Sequence, residues 1–272
     1  MALKLKYKKL IHVFIWLFAL AGLFSSWSFA IKKQNGYPVS QISIYITNPS
    51  ENDFIDEPDV QTFFQESGVQ FENKQVSNIN LFDLEKSLNT HPAVENAELT
   101  YDVNGFLKIL VKQRRPMLRV FNSSGESYYI DSTGRIMPLS FKSTSRVLVA
   151  NGFLNEPFAR RYQFSMQDIN NNENLKAITK LDDLYEITGK LYADSCLRSL
   201  IHQIYVDQNG EFVLIPAIGK QQILLGKSAD DLSHKLNKLK LFYLEGLNKT
   251  DSWNKYSSIN LKYKNIVVCT KI

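Results

Sequence analysis

The sequence predicts an α+β protein that consists of an N-terminal transmembrane helix, a small domain of order β-α-α-β-β, and a mixed β-sheet domain with two packed helices. Three patterns carry this prediction: an uncharged apolar run near the N-terminus, an alternating hairpin near residue 100, and two one-sided helical patterns among strands in the second half. The expected cytoplasmic tail, membrane helix, linker, first domain and second domain cover residues 1–10, 11–31, 32–39, 40–116 and 117–272.

The apolar run from Ile11 to Ile31 contains no charged side chain, and four lysines precede it. About twenty apolar residues span the core of a bilayer, so the run predicts a membrane-spanning helix with Trp16 and Trp27 near the two interfaces. More lysines precede the run than follow it, which by the positive-inside rule predicts a cytoplasmic N-terminus. The sequence therefore predicts a single-pass membrane protein whose two domains lie outside the cytoplasm.

A cleaved signal peptide is the alternative interpretation of the same run. Ser28-Phe29-Ala30 resembles a small-x-small cleavage site. The run is longer than the apolar region of a usual signal peptide, and the bulky Phe24 and Trp27 lie close to the cut, which favours an uncleaved helix. Whether the segment is ever cleaved stays open.

The charge of the chain argues against nucleic acid as a partner. Of the 32 lysines and arginines, six precede residue 34 and no acidic residue does, which leaves 26 basic against 27 acidic residues beyond it. A nearly neutral chain lacks the basic surface that binds phosphate backbones. Cys196 and Cys269 are the two cysteines, so disulfides do not frame the fold, and whether the two pair stays open.

The first domain begins with a strand at residues 41–47, where apolar and polar side chains alternate. Asp56 as an N-cap and Pro58 in the first turn predict a helix after it. Asn80 caps a second predicted helix. That helix ends before Pro92, because the residue that precedes a proline disfavours the α conformation.

A hairpin with its loop at Val103-Asn104-Gly105 closes the first domain. A two-residue loop would mix the apolar and polar faces, whereas the three-residue loop aligns the apolar residues of the two strands. Gly105 then takes the left-handed position that such a loop favours. The expected cross-strand pairs are Tyr101 with Leu107, Leu99 with Ile109, and Ala97 with Val111.

The second domain combines short strands with two amphipathic helices. The helices are predicted at about residues 173–193 and 229–247, each with one apolar stripe. Strands on both sides of them predict a mixed sheet on which the helices pack. The predicted strands cover residues 118–121, 128–130, 146–150, 201–206, 211–215, 222–225, 257–263 and 266–270.

The sequence shows no catalytic or metal-binding motif. Its histidines lack metal-ligand spacing, and it contains neither a nucleophile elbow nor a glycine-rich phosphate loop. We therefore expect no enzyme, no cofactor, no bound metal and no small-molecule substrate. Arg114, Arg115 and Arg119 form a basic cluster, which suits anionic lipid, the acidic face of a partner, or a hydrated domain junction.

The order of these segments resembles a known family. The β-α-α-β-β unit that ends in LKILVKQRRP is similar to a POTRA domain, a small module that docks polypeptide partners. A basic tail, an apolar helix, this unit, YYIDSTGRIMP and the closing YSSINLKYKNIVVCTKI together resemble the FtsQ/DivIB family of bacterial cell-division proteins, in its Bacteroidetes-type form. The resemblance implies a single-pass protein of the inner membrane with periplasmic domains. It also implies a non-enzymatic divisome scaffold at the septum that links division proteins and helps control septal peptidoglycan synthesis.

The resemblance also implies where partners bind. In this family a late strand captures the small proteins FtsB and FtsL, and INLKY aligns Tyr263 with a partner-contacting tyrosine. A terminal strand at a sheet edge also suits strand addition by another chain. Core packing of Tyr263 is the alternative. The predicted partner-binding residues are Tyr256, Ser258, Tyr263, Asn265 and Val267.

Two other functions stay open for the sequence alone. A POTRA-containing export or outer-membrane assembly factor would carry repeated POTRA units or a barrel of many strands, for which the second half of the chain leaves little room. A periplasmic cell-wall enzyme would need a catalytic constellation, and the sequence shows none.

Overall fold

The structure is a computed structural model that describes residues 15–28, 39–47, 54–69, 71, 75, 78–102, 105–155, 165–227, 229 and 231–272. The predicted tail and all but the last residue of the predicted linker lie outside the described residues. The chain divides into two compact units: the first ends at Gln113, and the second comprises Arg114–Ile272 together with Ser50–Phe54. Each unit is built on a sheet of its own.

The structure corrects the predicted membrane-spanning helix. The N-terminal helix α1 is described over residues 15–28, and residues 11–14 and 29–31 of the predicted span lie outside the described residues. In the described part of the chain, no helix is both long enough and apolar enough to cross a membrane. The predicted spanning helix at 11–31 and the single-pass inner-membrane topology are therefore both contradicted within the described residues.

The first unit contains a three-stranded sheet of order β1-β3-β2, in which β1 runs parallel and β2 antiparallel to β3. Asp56 begins α2 because its carboxylate accepts a hydrogen bond from the N–H of Asp59 at 3.0 Å, and Asp59 accepts one from the N–H of Asp56 at 2.9 Å. The elements are β1 (Gln41–Thr47), α2 (Glu57–Glu66), α3 (Leu81–Leu88), β2 (Val94–Tyr101) and β3 (Phe106–Gln113).

The predicted register of the hairpin is confirmed. Tyr101 pairs with Leu107, Leu99 with Ile109 and Ala97 with Val111. Gly105 has a φ of 81°, the left-handed conformation expected of it, while residues 103–104 of the loop lie outside the described residues. Leu107, Ile109 and Val111 are at most 2% exposed, which explains why only this register buries the apolar face.

The second unit is built on a nine-stranded mixed sheet of order β12-β11-β10-β9-β8-β7-β4-β5-β6. The pairs β4–β7, β7–β8 and β10–β11 are parallel and the other neighbours antiparallel. Its strands are β4 (Pro116–Phe121), β5 (Ser127–Asp131), β6 (Ile136–Met137), β7 (Leu148–Gly152), β8 (Ile201–Val206), β9 (Phe212–Pro216), β10 (Gln222–Gly226), β11 (Tyr256–Asn260) and β12 (Val268–Lys271).

The helices of the second unit are more broken than the sequence predicts. The predicted helix at 173–193 is interrupted at Thr179, which is extended (φ −129°, ψ 161°) and accepts a hydrogen bond from the N–H of Leu181 at 3.2 Å. The predicted helix at 229–247 becomes α8 (Leu232–Leu241), a π-helical turn (Phe242–Leu247) and α9 (Asn248–Thr250). The other helices are α4 (Met166–Asn170), α5 (Glu173–Ile178), α6 (Leu181–Ala193) and α7 (Ser195–Leu200).

One apolar core holds this sheet and these helices together. Ile187 on α6 and Leu239 on α8 are fully buried in the same cluster as Leu118, Ile204 and Ile259 of the sheet. The cluster reaches β11 but not the exposed residues of β12. The core therefore fixes β11 and leaves β12 at the outside of the sheet.

Candidate functional site

Residues 256–272 contain β11 and β12, the two strands at one side of the large sheet, and are named the C-terminal edge. β11 lies between β10, to which it is parallel, and β12, to which it is antiparallel. Ile259 is fully buried at its centre, opposite Ile223 on β10 and Cys269 on β12. β11 is thus an interior strand that the core anchors, and β12 is the outermost strand.

β12 leaves one side of its backbone open. It is the last strand in the sheet order, and its one neighbour among the described strands is β11. Val268, Thr270 and Lys271 are all exposed. The unpaired N–H and C=O groups along such a strand are the groups with which an added strand of another chain pairs.

The loop between β11 and β12 is tied to helix α8 by a lysine. The ammonium group of Lys238 donates hydrogen bonds to the carbonyl oxygens of Leu261 at 3.4 Å, Lys264 at 3.2 Å and Tyr263. Leu261 itself is fully buried, and its N–H donates to the carbonyl of Leu224 at 2.9 Å. These bonds fix the backbone on which the exposed Tyr263 stands.

Aromatic side chains of the π-helical turn support β11. The Tyr256 ring lies 6.2 Å from that of Phe242, and Tyr243 lies 5.5 Å from Trp253. Gln221 donates a hydrogen bond from Nε2 to the Tyr243 hydroxyl at 2.8 Å. Burial raises the pKa of Tyr243 to about 12, so its phenol stays neutral at physiological pH. π-Helical turns occur often at functional sites, and this one lies directly behind β11.

Two of the predicted partner-binding residues lie on β11 and are half-buried. Tyr256 faces Phe242, as described above. Ser258 donates a hydrogen bond to the Thr270 hydroxyl of β12 at 3.0 Å. Both side chains therefore contact neighbouring residues of this protein, and β12 lies between β11 and the side of the sheet on which a partner strand would add.

The other three predicted residues follow β11 in the loop. Tyr263 is 52% exposed, which differs from the core packing considered as its alternative. Asn265 is exposed as well, whereas Val267 is half-buried and packs against the core cluster. The predicted strand at 257–263 ends at Asn260, so Tyr263 stands in a bend.

The sequence predicted a strand at residues 266–270, which the structure has as β12 (Val268–Lys271), but it did not name the exposed residues of that strand as partner-binding, and it missed Lys238. Val268, Thr270 and Lys271 form the open strand, and the terminal position of the segment was the signal that could have placed them there. Lys238 gives no such signal, because its three acceptors are backbone carbonyls far along the chain. Only the folded loop brings these groups together.

The three arginines predicted as one basic cluster have separate roles in the structure. Arg114 is buried and pairs with the buried Asp131, with 2.7 Å between Nη1 and Oδ2. Asp131 also accepts hydrogen bonds from the N–H groups of Thr133 and Arg135. Arg119 lies on β4 with its guanidinium over aromatic rings, and only Arg115 is a plainly exposed cation.

The titratable groups within the described ranges form no candidate metal centre. No group of three or more histidine, cysteine, aspartate or glutamate residues there is placed to hold a metal ion. His91 accepts a hydrogen bond from the N–H of Ala93 at 3.2 Å, and burial lowers its pKa. The thiols of Cys196 and Cys269 are both free, and burial raises the pKa of Cys269.

Comparison with known proteins identifies both units. Residues 39–112 match a POTRA-like domain, and residues 115–270 match the family described as FtsQ/DivIB, C-terminal related. No curated protein matches the chain. The matched family consists in general of non-enzymatic scaffolds of cell division, which interact with other division proteins. Because its family match covers more than half of the sequence, the chain belongs to the FtsQ/DivIB family of cell-division proteins.

Proposed function

We propose that this protein is a non-enzymatic scaffold that captures an FtsB/FtsL-like division protein by strand addition to β12. Through this link it connects division proteins and helps control septal peptidoglycan synthesis. The open side of β12, the last strand of a nine-stranded sheet, is the observation that carries the proposal. In this proposal residues 117–272 form the capture domain and residues 40–116 a docking domain for other division proteins.

The side chains around β12 support strand addition. Val268 on the strand is 41% exposed, and Ile266 and Tyr263 beside it are 57% and 52% exposed. In strand addition the backbone supplies most of the hydrogen bonds, and side-chain contacts of this kind supply specificity. Lys238 holds the loop that presents Tyr263, so the side chain meets a partner with little loss of backbone freedom.

The POTRA-like match supports a second docking surface in the first unit. β1 and β2 are the outer members of its sheet, and helix α3 bonds the outer backbone of β2: the N–H of Ala97 donates to Asn89 at 2.9 Å and that of Leu99 to Glu85 at 2.6 Å. β1 is therefore the outer strand that we propose for docking. Tyr45 on β1 is 52% exposed, and Lys108 lies over its ring at 5.2 Å. We assign this unit to other division proteins and β12 to the FtsB/FtsL-like partner.

Capture by β12 is tested by recovery of partners from cells with the tagged full-length chain. Val268→Glu places a charge on the open strand and is expected to reduce recovery of FtsB/FtsL-like proteins at least about tenfold. Leu139→Glu is the matched control, because Leu139 is also 41% exposed and follows β6 at the opposite edge of the sheet. Equal recovery with both variants would contradict capture by β12.

A further inference from the structure

A cleft of about 510 Å³ lies where β7 and β8 begin, at the end of helix α6. Three arginines and one histidine line it, and none of its lining residues is acidic. Arg119 comes from β4, Arg146 from the extended segment before β7, and Arg198 and His202 from α7 and β8. We name this feature the arginine cleft.

Two of the guanidinium groups are held in place by aromatic rings. The Arg119 guanidinium lies 4.8 Å from the ring centre of Phe121, and its Nε donates a hydrogen bond to the Ser127 hydroxyl at 3.0 Å. The Arg198 guanidinium lies 4.7 Å from the ring centre of Tyr192. Contact with a ring does not use the N–H groups of a guanidinium, so the groups that Ser127 does not bind can pair with the oxygens of a carboxylate.

The arginines of the cleft differ from Arg114 in what neutralises them. Arg114 has Asp131 as its partner, whereas no carboxylate of the described residues forms an ion pair with Arg119, Arg146 or Arg198. Beyond residue 33 the chain has 26 basic and 27 acidic residues, so this is a local excess of positive charge. Cations of like sign in one cleft raise the local potential, which an anionic ligand relieves.

The walls between the arginines are apolar, which favours an anionic ligand that also carries apolar groups. Val147 and Val149 are half-buried on the floor of the cleft, beside Leu148 and Ile201. An inorganic ion gains nothing from such walls, whereas a peptide can bury an aliphatic side chain on them. Clusters of arginine are a recurrent device for binding acidic motifs.

We propose that the arginine cleft binds an acidic peptide segment of a protein partner. Carboxylates of the segment pair with Arg119, Arg146 and Arg198, and an apolar side chain between them packs on Val147 and Val149. β8 is four strands from β12 in the sheet order, about 19 Å at 4.8 Å per strand. The arginine cleft is therefore a second contact site, which does not depend on capture by β12.

The test measures fluorescence anisotropy of a labelled peptide of alternating glutamate and leucine with the full-length chain. Arg146→Gln with Arg198→Gln is expected to weaken binding at least about tenfold, because two charge-assisted contacts are lost. Both residues are exposed, so circular dichroism is expected to stay unchanged. The control Arg115→Gln removes an exposed arginine that does not line the cleft and is expected to leave binding unchanged.

Three results would overturn the proposal. If Arg115→Gln weakened peptide binding equally, the attraction would be general and not specific to the cleft. If a glutamine–leucine peptide bound equally well, the cleft would not recognise carboxylates. Displacement of the peptide by inorganic phosphate, but not by chloride of the same ionic strength, would make the cleft a small-anion site. Val268→Glu is expected to leave peptide binding unchanged, so failure of the cleft and failure of capture by β12 are distinguishable.

Discussion

Lys238 on helix α8 donates a hydrogen bond from its ammonium group to the backbone carbonyl of Tyr263, the exposed tyrosine of the C-terminal edge. The same ammonium group holds the carbonyls of Leu261 and Lys264. One half-buried side chain of a helix thus sets the course of the loop between β11 and β12. The presentation of Tyr263 depends on a residue that no partner needs to touch.

Replacement of this tether is expected to weaken partner capture while the fold persists. Lys238→Met keeps the aliphatic stem and removes all three hydrogen bonds, so we expect stability to fall by about 1 kcal/mol and recovery of the FtsB/FtsL-like partner to fall several-fold. Faster amide exchange at residues 262–266 is the direct readout. Lys235→Met is the control, because Lys235 lies on the same helix and its side chain forms no hydrogen bond in the described part of the chain. Unchanged exchange in Lys238→Met would contradict the tether.

The pair of Arg114 and Asp131 supports stability and not binding. Both side chains are buried, so Arg114→Gln leaves the Asp131 carboxylate without its charged partner, which is expected to cost about 3 kcal/mol or more in unfolding free energy. Arg115→Gln, at an exposed neighbour, is expected to change it by less than about 0.5 kcal/mol. Urea unfolding of both variants measures the difference, and similar values would contradict a structural role for Arg114.

The loop of the first hairpin depends on a left-handed glycine. Gly105 has a φ of 81°, and a β-branched residue resists that conformation, so Gly105→Val is expected to destabilise the first unit by about 1–3 kcal/mol. Thr100→Val is the control, since it introduces the same valine at an exposed strand position, where a β-branched residue is already accommodated. A melting temperature unchanged by Gly105→Val would reject the three-residue loop.

Asp182 is expected to lower stability at neutral pH. Its side chain is buried at the start of α6, its Oδ1 accepts no hydrogen bond in the described part of the chain, and burial raises its pKa above the ordinary 3.8. The folded chain then keeps a proton that the unfolded chain has lost, so stability falls as the pH rises from 3.8 through the folded pKa.

The Asp182→Asn variant is therefore expected to be more stable than the wild-type protein at pH 7. Its free energy of unfolding should also depend less on pH between about pH 4 and 7. Asp183→Asn is the contrast, because Asp183 accepts a hydrogen bond from the N–H of Ala229 at 3.3 Å and faces Lys180 at 3.5 Å. Thermal unfolding across this pH range measures both variants. Lower stability of Asp182→Asn at pH 7 would contradict the expected sign.

Periodic patterns of apolar residues correctly predicted the elements that depend on residues close together in the sequence. The hairpin register followed from alternation, because only one alignment of Leu99, Ile109 and Val111 buries the apolar face. The break at Thr179 was missed because the apolar period continues from α5 into α6 across the two residues between them, of which Thr179 is extended. The membrane-spanning helix was predicted from apolar composition and length, and no helix among the described residues is both long enough and apolar enough to cross a membrane.

The candidate site was predicted only as a region. The closing residues suggested a terminal strand, but the sheet order that makes β12 outermost comes from pairings between distant segments. Apolar and polar residues continue to alternate past Asn260, so the sequence predicted a strand up to residue 263. The structure has a loop there instead, and Lys238 of helix α8 bonds its backbone. Adjacency in sequence also grouped Arg114 with Arg119, although one is buried against Asp131 and the other lines the arginine cleft.

The most direct measurement is amide hydrogen exchange of the full-length chain, alone and in complex with the FtsB/FtsL-like protein that it recovers from cells. Strand addition predicts that the amides of Val268–Lys271 that face away from β11 gain protection in the complex, because they then pair with the partner's backbone. Protection confined to the first unit or to the arginine cleft, with no change on β12, would contradict capture at the C-terminal edge.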